Sequence, residues 1–247
     1  MANRLTGKAP PPAELAEAML DLTPADREII ARAAPYTMTS AARVKALVDA
    51  TRYCTRRDVP GALVECGVWR GGSVVAMIAA LQEADDVSRD IYLFDSFEGM
   101  TLPTEHDVSS FGPSALEEWD AAQRAGQQPW AEAYGPEAFS EEVVRATVLA
   151  TGYPPERIHL VRGPVEETVP EMAPASIALL RLDTDWYEST RHELVHLYPR
   201  LVDSGVLILD DYGHWEGCRR AVDEYFEGQP AILLNRIDYT GRIAIKH

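Results

Sequence analysis

The stretch IALLRLDTDWYESTRHELVHLYPRLVDSGVLILDD, residues 177–211, decides the fold class. Two apolar runs, at 177–182 and 206–209, enclose a helical stretch at 189–198. Short apolar runs are typical of buried strands. A strand, a helix and a second strand in succession predict a βαβ unit with parallel strands.

The same alternation of apolar runs and helical stretches extends along most of the chain. It predicts an α/β fold with a mostly parallel sheet, closed by a C-terminal antiparallel hairpin. The other predicted strands are ALVECGV at 62–68, IYLFDSF at 91–97, IHLVRG at 158–163, and the hairpin strands AILLNRI at 231–237 and RIAIKH at 242–247; the other helices lie at 73–81 and 215–226.

The regions outside this pattern predict an arm, a helical cover and an insertion. Residues 1–12 are polar and end in three prolines, which predicts a flexible arm. Residues 13–58 predict an N-terminal helical cover, and residues 99–155 predict a helical insertion long enough to carry a lid or an acceptor-binding region. The predicted helix starts are Thr23, Ser40, Ser114 and Ser140. We expect residues 1–247 to form one domain.

Composition limits the classes of partner and compartment. The 39 acidic and 23 basic side chains give a net charge of −16, which disfavours nucleic acid as a partner. Cys54, Cys66 and Cys218 are far apart and form no paired framework, as is typical of a reducing cytoplasm. No signal-peptide pattern and no run of roughly 18 apolar residues is found. We therefore expect a cytoplasmic protein that does not bind membranes.

Acidic pairs follow both apolar runs of the deciding stretch. Asp183 and Asp185 follow the first run, and Asp210 and Asp211 follow the second. Because parallel strands end at the same sheet edge, these carboxylates are expected to converge there, and such a cluster binds a hard cation. The alternative is that each pair only forms a turn or caps a helix.

A glycine-rich turn, VECGVWRGGS at 64–73, predicts a ligand site between a strand and a helix. Glu65 replaces the first glycine of the dinucleotide pattern, which argues against a dinucleotide oxidoreductase and suits a ligand amine. Asp95 ends the next strand, where an acid accepts hydrogen bonds from ribose hydroxyls. An amine and a ribose together suggest S-adenosylmethionine. The alternative is a tight turn with solvated acids.

Five motifs carry a family resemblance: YTMTS at 36–40, VECGVWRGGS at 64–73, LFDSFEG at 93–99, LRLDTDWYEST at 180–190 and LDDYGHW at 209–215. Together they resemble the macrocin O-methyltransferase family, whose members modify sugars in macrolide and aminocoumarin pathways. The resemblance covers roughly residues 35–227. It implies a class I methyltransferase fold, which is Rossmann-like and doubly wound with seven strands. It also implies S-adenosylmethionine, Mg²⁺, a hydroxyl acceptor commonly on a deoxysugar, and a homo-oligomer.

The resemblance assigns roles to the acidic pairs. Asp183, Asp210 and Asp211 are the implied metal ligands, in agreement with the preference of magnesium for carboxylates. Asp185 is the implied general base, which would take the proton of the acceptor hydroxyl. His214 is an alternative base or a substrate contact, and a lone histidine is also often structural.

Aromatic residues beside the acidic pairs are candidates for the acceptor site. Trp186, Tyr187 and Tyr212 could stack on a sugar ring, and core packing is the alternative. More distantly, the motifs are similar to catechol O-methyltransferases, in which a lysine serves near the metal. Here the third residue after Asp183 is Trp186, which argues against a catechol-type base.

The predicted cofactor site draws on four segments of the chain and on Asp183. The resemblance implies that residues 37–39 contact the methionine end of the cofactor and that residues 163–164 approach the adenine ring. Capping of the following helix is the alternative for Thr39 or Ser40. The predicted cofactor residues are Thr37, Met38, Thr39, Glu65, Gly67, Val68, Trp69, Arg70, Gly71, Ser73, Asp95, Ser96, Phe97, Gly163, Pro164 and Asp183.

Three functions are compatible with these motifs. The first is Mg²⁺-dependent O-methylation of a sugar hydroxyl on a small glycosylated acceptor. The second is O-methylation of a phenolic or catechol hydroxyl. The third is a nucleoside-binding interaction module without catalysis, which the complete acidic set disfavours.

Overall fold

The computed structural model describes residues 21–109, 111–130 and 140–247. The predicted arm at 1–12, the start of the predicted cover and part of the predicted insertion lie outside the described residues. The helices are α1 (Pro24–Ala33), α2 (Ala41–Arg56), α3 (Gly72–Gln82), α4 (Ala115–Ala125), α5 (Glu141–Leu149), α6 (Val165–Thr168), α7 (Tyr187–Leu197) and α8 (Glu216–Glu227). The strands are β1 (Ala62–Cys66), β2 (Ile91–Asp95), β3 (Ile158–Arg162), β4 (Ile177–Leu182), β5 (Leu201–Leu209), β6 (Asn235–Arg236) and β7 (Arg242–Ile245).

The seven strands form one sheet in the order β3-β2-β1-β4-β5-β7-β6. Strands β1 to β5 are parallel, and β7 runs antiparallel to both β5 and β6. This confirms the predicted α/β class, the mostly parallel sheet and the C-terminal hairpin. The first hairpin strand is shorter than the predicted run 231–237, because only Asn235 and Arg236 of that run pair with β7.

Helices cover both faces of the sheet. Leu63 of β1 packs with Met77 of α3 in one core cluster. The next residue, Val64, belongs to a second cluster with Leu194 of α7 and Val222 of α8. Because successive strand residues point to opposite faces, β1 is buried on both sides, as is typical of parallel sheets. Within the described residues, no helix combines the length and apolar character that a bilayer span requires.

The hydroxyl residues predicted to start helices do so. Thr23 caps α1 and Ser114 caps α4, each in a reciprocal capping box. Ser40 accepts a hydrogen bond from the backbone of Arg43 at the start of α2, and Ser140 caps α5 in the same way. Local side-chain chemistry therefore fixes where these helices begin.

Two glycines of the β1–α3 turn make room for other parts of the backbone. Gly67 has φ +82°, and a Cβ atom there would lie 2.1 Å from the carbonyl oxygen of Asp183. A Cβ atom at Gly72 would lie 2.6 Å from the carbonyl carbon of Tyr36. The sequence suggested that these glycines admit a ligand. In the structure, they bring β1 against the end of β4 and α3 against the segment before α2, and a cofactor contact at Gly67 stays a prediction.

This contact predicts a large stability loss for Gly67→Ala. The matched control is Gly152→Ala, because Gly152 has φ +76° and a Cβ atom there would meet open space among the described residues. The control should lose about 1–2 kcal/mol of unfolding free energy from the left-handed backbone alone. Gly67→Ala should lose about 1–3 kcal/mol more from overpacking. Urea unfolding measures both, and equal losses would contradict the proposed backbone contact.

Candidate active site

Three aspartates gather where β4 and β5 end. Asp183 directly follows β4, and Asp210 and Asp211 directly follow β5. The two strands are sheet neighbours, with Leu182 in register with Leu209. Each aspartate offers one carboxylate oxygen, and these oxygens lie within 4.8 Å of one another. The expected convergence is observed, and the role of these residues as metal ligands stays a prediction.

A buried arginine of β4 binds the acids around it. Arg181 donates to Glu65, its register partner on β1. It also lies 2.8 Å from the nearest oxygen of Asp183 and 2.8 Å from that of Asp210. Its fourth neighbour is the Thr39 hydroxyl, at 3.0 Å. Although burial opposes its charge, the carboxylates of Asp183 and Glu65 raise the pKa of Arg181.

A second buried arginine comes from the N-terminal helices. Arg43 of α2 forms an ion pair with Asp210 and another, at 3.2 Å, with Asp238 of the β6–β7 turn. Asp238 also accepts a hydrogen bond of 2.7 Å from Ser40, the N-cap of α2. Arg43 therefore fastens α2 and the C-terminal hairpin to the acidic cluster.

The two arginines do not balance the negative charge of this region. They face the carboxylates of Glu65, Asp183, Asp185, Asp210 and Asp211, while Arg43 also pairs with Asp238. One oxygen each of Glu65 and Asp211 is buried without a hydrogen-bond partner among the described residues. Burial, reinforced by Asp185, raises the pKa of Asp211 well above its ordinary value. A surplus of buried carboxylate oxygens fits a divalent cation.

Glu65 is less available to a ligand than the sequence suggested. One carboxylate oxygen is bound to Arg181, and Oε2 is the oxygen without a partner in the described part of the chain. Burial raises the pKa of Glu65 to about 7, although the charge of Arg181 opposes this shift. The predicted contact with a ligand amine therefore falls to Oε2.

Asp95 holds the backbone of the glycine-rich turn. Its Oδ2 accepts hydrogen bonds from the backbone N–H groups of Val68, at 2.7 Å, and Trp69, at 3.2 Å. Its Oδ1 accepts another from Phe97, at 2.8 Å. Burial raises the pKa of Asp95. These bonds use three of about four acceptor positions of the carboxylate, which leaves one for the predicted ribose hydroxyl.

The turn itself presents polar groups that the described part of the protein does not satisfy. The indole N–H of Trp69 and Nε of Arg70 are buried without a hydrogen-bond partner there. Gly71 has φ +85° and precedes α3, and Ser73 is buried in the first turn of that helix. Val68 is also buried. Unsatisfied buried donors near a helix N-terminus are compatible with the predicted cofactor site.

The predicted cofactor residues that follow β2 and β3 make different contacts with the rest of the protein. Phe97 packs in a core cluster, and the Ser96 hydroxyl donates to the carbonyl oxygen of Gly99 at 2.6 Å. The backbone N–H of Gly163 donates to the Asp95 carbonyl oxygen at 3.0 Å, and Pro164 precedes α6. These four predicted residues thus border the ends of β2 and β3, and their cofactor contacts stay predictions.

The segment before α2 approaches the acidic cluster. The Thr39 hydroxyl lies 3.5 Å from Oδ2 of Asp210, and the Thr37 hydroxyl accepts from the Thr39 backbone at 3.1 Å. Met38 is 52% exposed. Ser40, and not Thr39, is the helix cap. The capping alternative is therefore confirmed for Ser40 alone, and the predicted cofactor contact of residues 37–39 stays a prediction.

Asp185, the predicted base, is fixed by a tryptophan. Its backbone has φ +67°, in the left-handed region that residues other than glycine seldom adopt. Its Oδ1 accepts a hydrogen bond of 2.8 Å from the indole N–H of Trp215. Burial and the nearby charge of Asp183 raise the pKa of Asp185 to about 7, a value that suits proton transfer near neutral pH.

His214, the alternative base, lies within a set of aromatic and hydroxyl side chains. Its ring nitrogens lie 3.5 Å from the Ser109 hydroxyl and 3.2 Å from the Tyr239 hydroxyl. The ring stacks on Phe111 with centroids 5.4 Å apart. These contacts engage both ring nitrogens of His214. Asp185 is the candidate base that lies beside the aspartate cluster.

The three aromatic residues predicted at the acceptor site have different surroundings. The hydroxyls of Tyr187 and Tyr212 donate to Glu224 and Asp223 of α8, at 2.7 and 2.8 Å, so their polar ends serve packing of that helix. The indole of Trp186 donates to the Thr101 carbonyl oxygen at 3.0 Å. An acceptor contact stays a prediction for all three. The sequence did not reveal that Trp186 lies between Trp130 and Trp215 in a row of contacting indoles.

Four residues of the site were missed by sequence reasoning. Arg181 is a charged residue inside an apolar strand, and that interruption was the available signal. Arg43 lies on the buried face of α2 beside Val44, which was a weaker signal. Asp238 and Trp215 had no local signal, because their partners come from distant parts of the chain.

Comparison with known proteins gives a consistent result. The family model described as Macrocin-O-methyltransferase (TylF) matches residues 22–244. The 8-demethyl-8-(2,3-dimethoxy-alpha-L-rhamnosyl)-tetracenomycin-C 4'-O-methyltransferase of Streptomyces olivaceus is 34% identical over 223 residues, 88% of this chain and 79% of that protein. The demethyldecarbamoylnovobiocin O-methyltransferase of Streptomyces niveus is 32% identical over 190 residues, 77% of this chain and 67% of that protein. The solved structure of the O-methyltransferase NovP has 31% identity and a TM-score of 0.71, covering 85% of this chain and 82% of its own.

The network around Arg181 predicts that Arg181→Met is strongly destabilising. It would leave buried carboxylates without their cation, which should cost about 3–5 kcal/mol of unfolding free energy. The matched control is Arg162→Met, because Arg162 forms an exposed pair with Glu98. Urea unfolding at pH 7 should show the loss in the first variant and no measurable change in the second. Similar stabilities for both variants would contradict this assignment.

Proposed function

Because the chain belongs to the macrocin O-methyltransferase family, we propose that this S-adenosylmethionine-dependent O-methyltransferase acts on a sugar hydroxyl of a glycosylated small molecule and requires Mg²⁺. The observation that carries the proposal is the carboxylate cluster at the ends of β4 and β5, with its surplus of negative charge. The relative from Streptomyces olivaceus, which is named for a tetracenomycin bearing an α-L-rhamnosyl group, supports a deoxysugar acceptor.

The metal would be held by Asp183, Asp210 and Asp211. Asp210 is anchored by Arg43 and Arg181, so its position does not depend on the metal. Asp211 offers the buried Oδ2 that has no partner among the described residues. A cation bound here would supply Lewis acidity that lowers the pKa of the acceptor hydroxyl.

The protein's own contribution to the chemistry is a base and an enclosure. Asp185 takes the proton from the acceptor hydroxyl as the methyl group is transferred, and its pKa of about 7 suits this role. Oδ1 is bound to Trp215, so Oδ2 is the oxygen that receives the proton. Trp186 directly follows Asp185 and is buried, so its indole forms an apolar wall beside the base.

The cofactor would lie along the β1–α3 turn. Its amino group would meet Oε2 of Glu65, and its ribose would meet the remaining acceptor position of Asp95. The donors of Trp69 and Arg70 that lack a partner in the described part of the chain border the same turn. This arrangement would present the methyl group toward the ends of β4 and β5, because all these strands end at one sheet edge.

Two expectations about the whole chain complete the proposal. We propose a single catalytic domain over residues 1–247, in which residues 99–155 form the acceptor lid, and a homo-oligomer as implied by the resemblance to the family. The links from Trp186 to Thr101 and from Tyr187 to Asp107 support the lid, because they fasten the start of this insertion to the site.

The metal requirement predicts that chelation by EDTA abolishes methyl transfer and that added Mg²⁺ restores it. Asp211→Asn should weaken Mg²⁺ binding at least about tenfold by calorimetry, since it removes an anionic ligand. The control is Asp223→Asn. Asp223 lies on α8 and accepts a hydrogen bond from the Tyr212 hydroxyl, so this substitution should leave the Mg²⁺ affinity unchanged. Full turnover in metal-free buffer would overturn the metal proposal.

The acceptor class is tested by a panel of small molecules incubated with S-adenosylmethionine. The panel contains deoxysugar glycosides, catechols and simple phenols, and mass spectrometry detects the methylated product. We expect methylation of glycosides, because no lysine follows Asp183 at the position used in catechol enzymes. Products from catechols alone would reverse the assignment.

A further inference from the structure

Trp215 contacts several residues of the candidate active site and has no role yet in the proposed function. Its indole N–H donates to Oδ1 of Asp185 at 2.8 Å, across 30 residues of sequence. Asp185 itself sits in a short connection between Asp183 and the start of α7, with a left-handed backbone. A side chain on such a short turn needs an external contact to hold one orientation.

The indole of Trp215 is itself held from several directions. Its backbone N–H donates to the Asp211 carbonyl oxygen at 3.1 Å, and its backbone forms a bridge with Ser109. Its ring contacts Trp186 edge to face, with centroids 5.0 Å apart, and contacts His214 with centroids 4.9 Å apart. The donor is therefore placed by the rigid end of β5 and by neighbouring rings.

The chemistry of an indole suits this position. An indole N–H donates one hydrogen bond, has no acceptor nitrogen and does not titrate in the working range of the enzyme. It can therefore orient a carboxylate without competing for the proton that the carboxylate must receive. A histidine or tyrosine in the same place would be able to exchange protons with Asp185.

We propose that Trp215 is a positioning residue, whose indole N–H fixes Oδ1 of Asp185 so that Oδ2 faces the acceptor hydroxyl. This inference rests on the proposed role of Asp185 as the base. Since Ser109 pairs with the backbone of Trp215, the same contact ties the orientation of the base to the start of the predicted acceptor lid. Base and lid would then be aligned as one unit.

The contact is tested first without any acceptor. The protein contains five tryptophans, so a ¹H–¹⁵N spectrum resolves up to five indole N–H signals. In the wild-type protein, the Trp215 signal should lie downfield and exchange slowly with solvent. In Asp185→Ala this signal should move upfield and exchange faster, while the Trp119 signal stays in place. An unchanged Trp215 signal would overturn the proposal, and this measurement does not depend on the folding of any Trp215 variant.

Kinetics then separate positioning from packing. With the acceptor that gives turnover in the panel, Trp215→Phe should lower kcat by about 10- to 100-fold, the effect expected from losing one hydrogen bond to a charged group. Its KM for the acceptor and its affinity for S-adenosylmethionine should remain within about twofold, because only orientation of the base is lost. Tyr198→Phe is the control, because Tyr198 packs against Tyr225 and Phe226 just before β5 begins, at the opposite sheet edge, and this variant should keep the wild-type kcat.

The outcomes distinguish the inference from the function on which it rests. If Asp185→Ala keeps wild-type turnover, Asp185 is not the base and both proposals fall. If Asp185→Ala is inactive while Trp215→Phe keeps the same kcat as Tyr198→Phe, the base assignment stands and the positioning role is wrong. A drop in kcat for Trp215→Phe that disappears in the Asp185→Ala background supports the positioning role, because the two residues then act as one unit.

Discussion

One edge of the sheet buries more carboxylates than cations. The way in which the surrounding elements meet follows from this imbalance. Arg181 and Arg43 neutralise part of this charge and, in doing so, connect β1, β4, β5, α2 and the C-terminal hairpin. Burying a charge without a partner is expensive, so these elements must meet at one point. The same surplus leaves carboxylate oxygens of Glu65 and Asp211 without a partner among the described residues, and the one on Asp211 is available for a metal ion.

The backbone of the site is arranged to bring these acids together. Gly67 lets the end of β1 approach Asp183. Asp95 accepts hydrogen bonds from backbone N–H groups of the β1–α3 turn. Asp185, whose own backbone is left-handed, accepts a hydrogen bond from the indole of Trp215. The site is thus built from the ends of several elements, and hydrogen bonds and ion pairs between these elements hold its side chains.

Much of the fold could be predicted because its signals are local. Alternating apolar runs marked the strands, Thr23 before Pro24 marked the start of α1, and a capping box marked the start of α4 at Ser114. The pairing of Glu65 with Arg181 depends on the register of β1 against β4, which joins residues 116 positions apart. No local pattern encodes that register, so the partners of the arginines and of Trp215 became visible only in three dimensions.

The central claim is that Asp183, Asp210 and Asp211 hold a divalent cation while Arg43 and Arg181 keep Asp210 in place. The most direct measurement is a crystal structure of the protein grown with Mn²⁺ in place of Mg²⁺, with anomalous diffraction used to locate the metal. The account predicts one anomalous peak among the three aspartates, with both arginines still bound to Asp210. A peak at another site, or none at these aspartates under saturating Mn²⁺, would contradict it.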